Sequence, residues 1–446
     1  MTRKTLWLSA VIVVLVATAS FATGQKEGTS SSAATTSAGK TVSLSLYNYV
    51  DVTAPDYKGF QALVAGFKSE YPNVNLSIQN LFNEPYHQKL QALVAADQVP
   101  DVMFLWPSAR TGYVTDHGLA KNLYPLLGSK RSDFQASAVA PQGPNGQLWE
   151  IAKDASTATT VVWTNDALLK KLGLSYPKTL AELISQSATI RAAGLTPIAM
   201  ADKDGWETES CLLSTLVGRL GGNSWIQTAN NQTNGAKFTD PQFVDALKIV
   251  KQMADAKLFP PGVATDDYNT ALQTFEQGKA VYLIDGDWRD IPLQKDTSAA
   301  FQENVSLNSF PAIPGQVGKD TISNIPSTGF GMKATLSGAK EQAAWDWIWF
   351  VSGPKGALIR AKVGAEIPSY LNIDLSQLHL GTVVDKLIQY YKTVPGTQTV
   401  LDGIMPPKAV GVLNPDLQLL QLNQMTPQQV AQAVQNWYNE NPPKSS

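Results

Sequence analysis

From Thr41 to Tyr49 the chain reads TVSLSLYNY, with apolar and polar residues in alternation, the pattern of a strand that buries one face. Phe60, Leu63, Val64 and Phe67 then recur at helical spacing, Pro72-Asn73 marks a turn, and Val74 to Ile78 alternates again. Tyr86 to Ala96 predicts a second helix. Pro100-Asp101 breaks it before a short apolar strand, Val102 to Leu105, which ends at Trp106-Pro107. Strand, helix, strand, helix, strand predicts a parallel sheet covered by helices.

A second set begins after the turn Gly143-Pro144-Asn145-Gly146. Val161-Val162-Trp163 predicts a strand and Asn165 to Leu172 a helix, while Thr179 with Glu182 has the spacing of a capping box. Ile198-Ala199-Met200 predicts another strand; Phe243 to Ala256 and Ala271 to Phe275 predict helices. The stretch FEQGKAVYLIDGDWRD, Phe275 to Asp290, turns at Gly278, runs apolar from Ala280 to Ile284, and empties into acids, a glycine, an indole and a guanidinium. Ala343 to Phe350 predicts an apolar helix whose tryptophans belong mainly to core, and Pro427 to Trp437 a final amphipathic helix. In open α/β sheets ligands gather at the carboxyl ends of strands. Three expected strand ends carry polar or aromatic groups: Asn48-Tyr49, Trp106, and Asp285 to Arg289.

Composition narrows the classes. The 446 residues are 43% hydrophobic and 16% charged with a net charge of -2, enough for two or three lobes with cores of their own. That balance supplies no electrostatic reason to bind nucleic acid or an anionic membrane. Arg3 and Lys4, the apolar run Leu6 to Ala17, and small residues at Ala19, Ser20 and Ala22 have the three-part form of a secretory signal. Residues 1–22 are therefore expected to be a cleaved signal, and 23–40, rich in Ser, Thr, Ala and Gly, a flexible tether. The mature protein is expected to be soluble and exported. Cys211 is the single cysteine, which excludes an intrachain disulfide, a thiolate zinc site and lipid attachment near the cleavage point; it reads as a small buried hydrophobe. His87, His117 and His379 have no ligand spacing, so neither metal nor cofactor is predicted.

Several segments, in order, resemble the extracellular solute-binding proteins of ABC sugar importers, the maltose-binding-like group. They are Phe67-Lys68 with Tyr71-Pro72-Asn73-Val74; Tyr86, Lys89-Leu90 and Ala92 before Pro100-Asp101-Val102; Val162 to Leu168 with Gly173-Leu174 and Pro177-Lys178-Thr179; the stretch ending at Trp288; and Phe310 to Gly315 with Gly329-Phe330-Gly331-Met332. The resemblance implies an α/β, two-lobed periplasmic-binding-protein fold of type II-like topology, with a cleft between lobes that the chain crosses more than once. On this sequence the hinges are expected near Ala152 to Ser156 and Asn308 to Pro311. The first lobe is then 41–153 with 309–352, and the second 154–308 with 353–446. The implied partners are a carbohydrate and the membrane permease with its ATPase; the implied state is a monomer that closes on its solute.

A sugar ring needs flat aromatics against its faces and acids, amides or Arg along its edge. The resemblance places Trp288 at the family's stacking position, Trp106 among first-lobe contacts and His87 near a contact on the second helix. The departures at Ser108, Ala109 and Arg110 argue against the usual maltodextrin contacts. From their strand-end positions Asn48, Tyr49, Trp206 and Asp287 join the candidates. Because side chains alternate along a strand, Asp287 and Arg289 are not expected both to face the cleft. Asp285, Asp287 and Asp290 are local neighbours and cannot straddle a substrate as glycosidase carboxylates do. With no G-x-S-x-G, H-E-x-x-H or P-loop motif, binding is expected rather than catalysis. A polyamine in the same fold is the alternative cargo, and a secreted glycosidase the remote one.

Overall fold

The computed structural model describes residues 41–106, 109–143, 145–154, 158–317, 321–325, 328–364, 366–374, 378, 380–394 and 396–443. The expected export signal and tether, with Ser108 and Ser156, lie outside them. The strands in chain order are β1 (Val42–Tyr49), β2 (Val74–Leu81), β3 (Val102–Leu105), β4 (Ile151–Ala152), β5 (Val161–Asn165), β6 (Thr196–Ala199), β7 (Ala280–Asp285), β8 (Val305–Asn308), β9 (Ile322–Asn324), β10 (Gly329–Met332) and β11 (Thr397–Thr399).

The first sheet has the order β2-β1-β3-β10-β4. Parallel pairing, as expected from the local pattern, holds for β1 with β2 and with β3. β10 and β4 then extend the sheet antiparallel, so the sheet is mixed rather than parallel throughout. These strands arrive from distant parts of the chain, and no local period encodes their direction. β10 can approach β4 because Gly329 has no side chain: a Cβ there would lie 2.0 Å from the Ile151 carbonyl oxygen. The second sheet runs β6-β7-β5-β8, with β6 parallel to β7 and β5 antiparallel to both its neighbours. All six residues of β7 are buried, which is why its sequence reads as one apolar run instead of alternating.

Each sheet has its own core. Leu46, Phe67, Tyr86, Phe104 and Trp347 anchor the first; Ile198, Leu216, Phe243, Tyr282 and Leu417 anchor the second. Trp345 and Trp347 are core, as the apolar helix Gly338–Ser352 predicted. Trp349 is only partly buried and carries the Lys130 ammonium 4.0 Å from its ring centre. Thr179 does cap the helix Leu180–Ala192 by accepting from Glu182 N, yet the Glu182 carboxylate bonds Lys178 N at 2.7 Å rather than closing the box.

The chain first passes between the sheets after β4, where Lys153 pairs with Asp154 at 2.7 Å and Glu366 at 3.2 Å, and Arg360 with Glu366 at 3.0 Å. Burial works to raise the Glu366 pKa, but the two cations outweigh it and hold it at about 2. The return crossing lies later than expected. Phe310 and Ile313 pack in the second core and Ile322 beside it, so the chain rejoins the first sheet only at β10. The helix Pro354–Gly364 packs on Tyr57–Glu70 and on Gly338–Ser352, which places most of it with the first sheet, while its Ala361 meets Leu380 and Val384. Gly353-Pro354 interrupts the helical run, but the interruption folds the next helix back on its neighbour instead of releasing it across the molecule. Among the described residues no helix is long and apolar enough to cross a membrane.

Candidate functional site

The carboxyl ends of the parallel strands of both sheets converge on one cavity of about 350 Å³, where open α/β sheets hold ligands. β1 delivers Tyr49 and Asp51, β2 Phe82, and β3 Trp106 and Arg110; β6 leads to Trp206, and β7 to Asp287, Trp288 and Arg289.

Aromatic rings from both sheets line the cavity, and Phe82 joins the two sets at 6.3 Å from Tyr268. On one side Tyr49 meets Trp106 edge-on with centroids 4.8 Å apart and Phe82 at 5.2 Å. On the other Trp206 lies 4.9 Å from Tyr268 and 6.1 Å from Trp288. Trp106 and Trp206 are 6% and 8% exposed, so most of each ring is packed within its wall. Trp288 is half-buried and offers the more open indole face.

The position of Trp288 follows from the residues around it. Its Nε1 donates to the Tyr268 hydroxyl at 2.5 Å, and that hydroxyl donates to Asp285 Oδ1 at 3.0 Å. Asp285 also accepts from Gly286 N at 2.8 Å and, through Oδ2, from Arg289 Nε at 2.6 Å. The Cys211 thiol lies 3.6 Å from Asp285 and is wholly buried; burial, then the Asp285 charge, pushes its pKa well up, so it stays a thiol. The Arg289 guanidinium stacks 3.9 Å over Tyr268. Gly286 serves this arrangement by close approach rather than by unusual backbone. Its φ is -73°, open to any residue, but a Cβ would meet the Trp288 ring at 2.3 Å.

Asp287, Trp288 and Arg289 all line the cavity, contrary to the expectation drawn from strand alternation. β7 has ended at Asp285 and residues 287–289 form a 3₁₀ turn, in which consecutive side chains fan around an axis instead of alternating. Asp287 is buried; its carboxylate accepts from Ala158 N at 2.7 Å and from the Tyr391 hydroxyl.

Five of the seven sequence candidates therefore meet at the cavity: Tyr49, Trp106, Trp206, Asp287 and Trp288. Asn48 and His87 are not among its lining residues. Asn48 is buried within the first sheet, donating to Asn80 at 3.1 Å on the adjacent strand. His87 is buried and not solvent-facing; its Nε2 accepts from Arg110 Nε at 3.0 Å and its ring sits 4.9 Å from Trp106. Burial, and then Arg110, push its pKa well below the usual value, so it is neutral at pH 7 and backs the wall. Tyr268 and Asp402 were missed by sequence reasoning, and Arg110 was noted at its strand end without its partners. Tyr268 meets Asp285 from 17 residues away, and Asp402 pairs with Arg110 from 292 away; no local spacing signals either contact. Among the described residues no cluster of His, Cys, Asp and Glu could hold a metal.

The sequence profile of the bacterial extracellular solute-binding protein family matches residues 51–358. The chain belongs to that family. Among curated relatives, this solute-binding protein is 22% identical over 260 residues to a multiple sugar-binding protein of Streptococcus mutans, covering 56% of this chain and 58% of that protein. It is 25% identical over 208 residues to a probable sugar-binding periplasmic protein of Mesorhizobium japonicum, covering 45% and 47%. The chain spans about half the length of the curated relatives it matches. Among solved structures it superposes on a chitin oligosaccharide binding protein with a TM-score of 0.78 at 23% identity, covering 89% of this chain and 98% of that one. It superposes equally well on a protein from work on xylan utilization by Caldanaerobius polysaccharolyticus, with a TM-score of 0.79 at 22% identity, covering 89% and 100%. These likenesses establish the two-lobed fold.

Proposed function

We propose that this solute-binding protein captures a sugar or oligosaccharide between its lobes and delivers it to the permease of an ABC importer. The observation that carries the reading is the half-buried Trp288 face, oriented through Tyr268 and Asp285, at a cavity lined by aromatics from both sheets and edged by carboxylates. Stacking on C–H faces and hydrogen bonds from hydroxyls to acids are the two contacts a sugar requires. The curated relatives described as sugar-binding support the same cargo.

Residues 41–153 with 328–372 form one lobe in this reading, Tyr370 packing on Phe134 and Trp349, and 158–325 with 380–443 the other. Closure about the connections near Lys153 and Glu366 buries the solute, and solute shifts the population toward the closed form. The protein works as an exported, soluble monomer that holds its solute without chemical change.

Melting curves across a panel of sugars, oligosaccharides and polyamines test the proposal. A ligand at about 100 times its Kd adds roughly 2.7 kcal/mol to the folded state, a rise of at least about a degree or two for a chain of this size. A rise with a sugar, lost in Trp288→Ala, supports the reading. A rise with polyamines alone, or slow consumption of a sugar, refutes it.

A further inference from the structure

Among the described residues, seven acids and three cations line the cavity, and every one of the cations is already engaged in an ion pair. Lys153 holds Asp154 and Glu366. Arg110 holds Asp402 at 2.8 Å and Glu84 at 3.2 Å. Arg289 holds Asp285 at 2.6 Å with both side chains 4% exposed.

The acids are differently placed. Asp56, at the start of the helix Tyr57–Glu70, and Glu276, at the end of Tyr268–Glu276, face the same cavity from the two lobes. Neither forms an ion pair within 4 Å, and Asp56 Oδ1 and Glu276 Oε1 are both shielded from solvent with no hydrogen-bond partner in the protein. A buried carboxylate oxygen without a donor is costly unless something fills the space beside it. Asp51 and Asp296 add two more carboxylates with no paired cation; Asp51 accepts only neutral donors, from Thr53 and Asn269.

Together these observations define what the cavity rewards. The cavity and its aromatic walls already mark a ligand site, so the acids bear only on which ligand it prefers. A hydroxyl can satisfy an unpartnered carboxylate, a protonated amine satisfies it better, and a carboxylate on the ligand meets repulsion with no free cation to answer it. We propose that the cavity is a charge filter: among sugars of one ring geometry it takes the amine-bearing one ahead of the neutral one, and the neutral one ahead of the uronate. This rests on the sugar-binding reading and names the class of sugar.

The protonation of the two acids suits that role. Burial, then Glu366, pushes the Asp56 pKa up to about 6, with Lys153 partly opposing; burial, then Asp296, pushes Glu276 up to about 7, with Arg289 partly opposing. Each is thus easily neutralised when a neutral sugar occupies the cavity and ionised when a cation arrives.

The test is calorimetric titration of the full chain at pH 7 and low salt with three matched series: glucosamine, glucose and glucuronate; galactosamine, galactose and galacturonate; and mannosamine, mannose and mannuronate, each with its β-1,4-linked disaccharides. In the series that binds, the amine is expected to bind at least about tenfold tighter than the neutral sugar and the uronate at least about tenfold weaker, about 1.4 kcal/mol per step. Added salt should weaken the amine more than the neutral sugar. Asp56→Asn with Glu276→Gln, verified to melt as a folded protein, should bring the amine-to-neutral ratio close to one. If that double variant proves unstable, each single substitution should cut the ratio several-fold. Equal affinity for amine and neutral sugar, or a uronate that binds as well as the neutral one, overturns the filter while leaving sugar binding intact. Silence in all three series with a response to spermidine overturns the sugar reading and the filter with it.

Discussion

Replacing Asp402 by Asn isolates one contact between the two halves of the molecule. Arg110 follows β3 of the first sheet, while Asp402 lies in the 3₁₀ turn Leu401–Gly403, whose Leu401 is packed in the second core. Their pair is 2.8 Å long with side chains 19% and 10% exposed, and in the proposed closure it forms only in the closed state. A fully buried pair broken on one side costs about 3–5 kcal/mol and an exposed one about 0.2–1. This pair lies between those limits. Arg110 keeps Glu84 and His87 as partners, and Asn keeps an acceptor, so the closed form should lose about 1.5 kcal/mol. That loss passes into the closure equilibrium and raises the apparent Kd about tenfold. In that proposal the open form lacks the contact, so the ligand-free melting temperature should move by no more than about 2 °C. Calorimetric titration with the sugar identified by melting measures the first quantity, and scanning calorimetry of the free protein the second. A double-mutant cycle with Arg110→Met should return a coupling of about 1–2 kcal/mol. A Kd within twofold of the parent, or a fall in free-protein stability as large as the loss in binding, would refute the assignment of this pair to closure.

Other expectations follow from the same geometry. Gly286→Ala places a Cβ in the Trp288 ring, and should weaken sugar binding at least about tenfold by turning the indole, with loss of Trp288 fluorescence quenching by ligand as the readout. Trp163→Ala should cost about 3–5 kcal/mol of stability in denaturant titration, since Trp163 is wholly buried and its Nε1 donates to Gly286 O at 3.2 Å. Stability should fall as pH rises from about 5 to about 8 and level off above that. Burial, then Asp402, raises Glu209 from 4.5 to about 8, although Ser214 and Ser210 donate to it; the native state therefore binds more protons than the unfolded one between those two values, and stability is lost as pH climbs from the lower to the higher. Glu209→Gln should flatten the melting temperature over this range, and an unchanged slope would contradict the assignment.

Local pattern was enough for β1, β2, β3, β5, β6 and β7 and for several helices, but not for β4, β8, β9, β10 or β11 nor for the helices Ser214–Asn230 and Pro407–Gln421. The apolar run Ala280 to Ile284 specified a strand buried on both faces, because burial of periodic apolar residues is dictated residue by residue; the family came instead from the resemblance of the ordered segments around it. Trp106 and Trp288 were legible because the family resemblance places contacts at those strand ends, and Trp206 because it follows a strand by several residues. Contacts across sequence distance were not legible. Whether β10 runs antiparallel, which sheet claims residues 309–317, and that Arg110 meets Asp402 all depend on how the two cores are brought together. The 3₁₀ turn at Asp287–Arg289 shows the same division on a small scale. The sequence determined that acids, an indole and a guanidinium leave the strand together; only the tertiary structure decided that Asp285, Tyr268 and Arg289 lock one another, because each satisfies a buried polar group that none of them could satisfy alone.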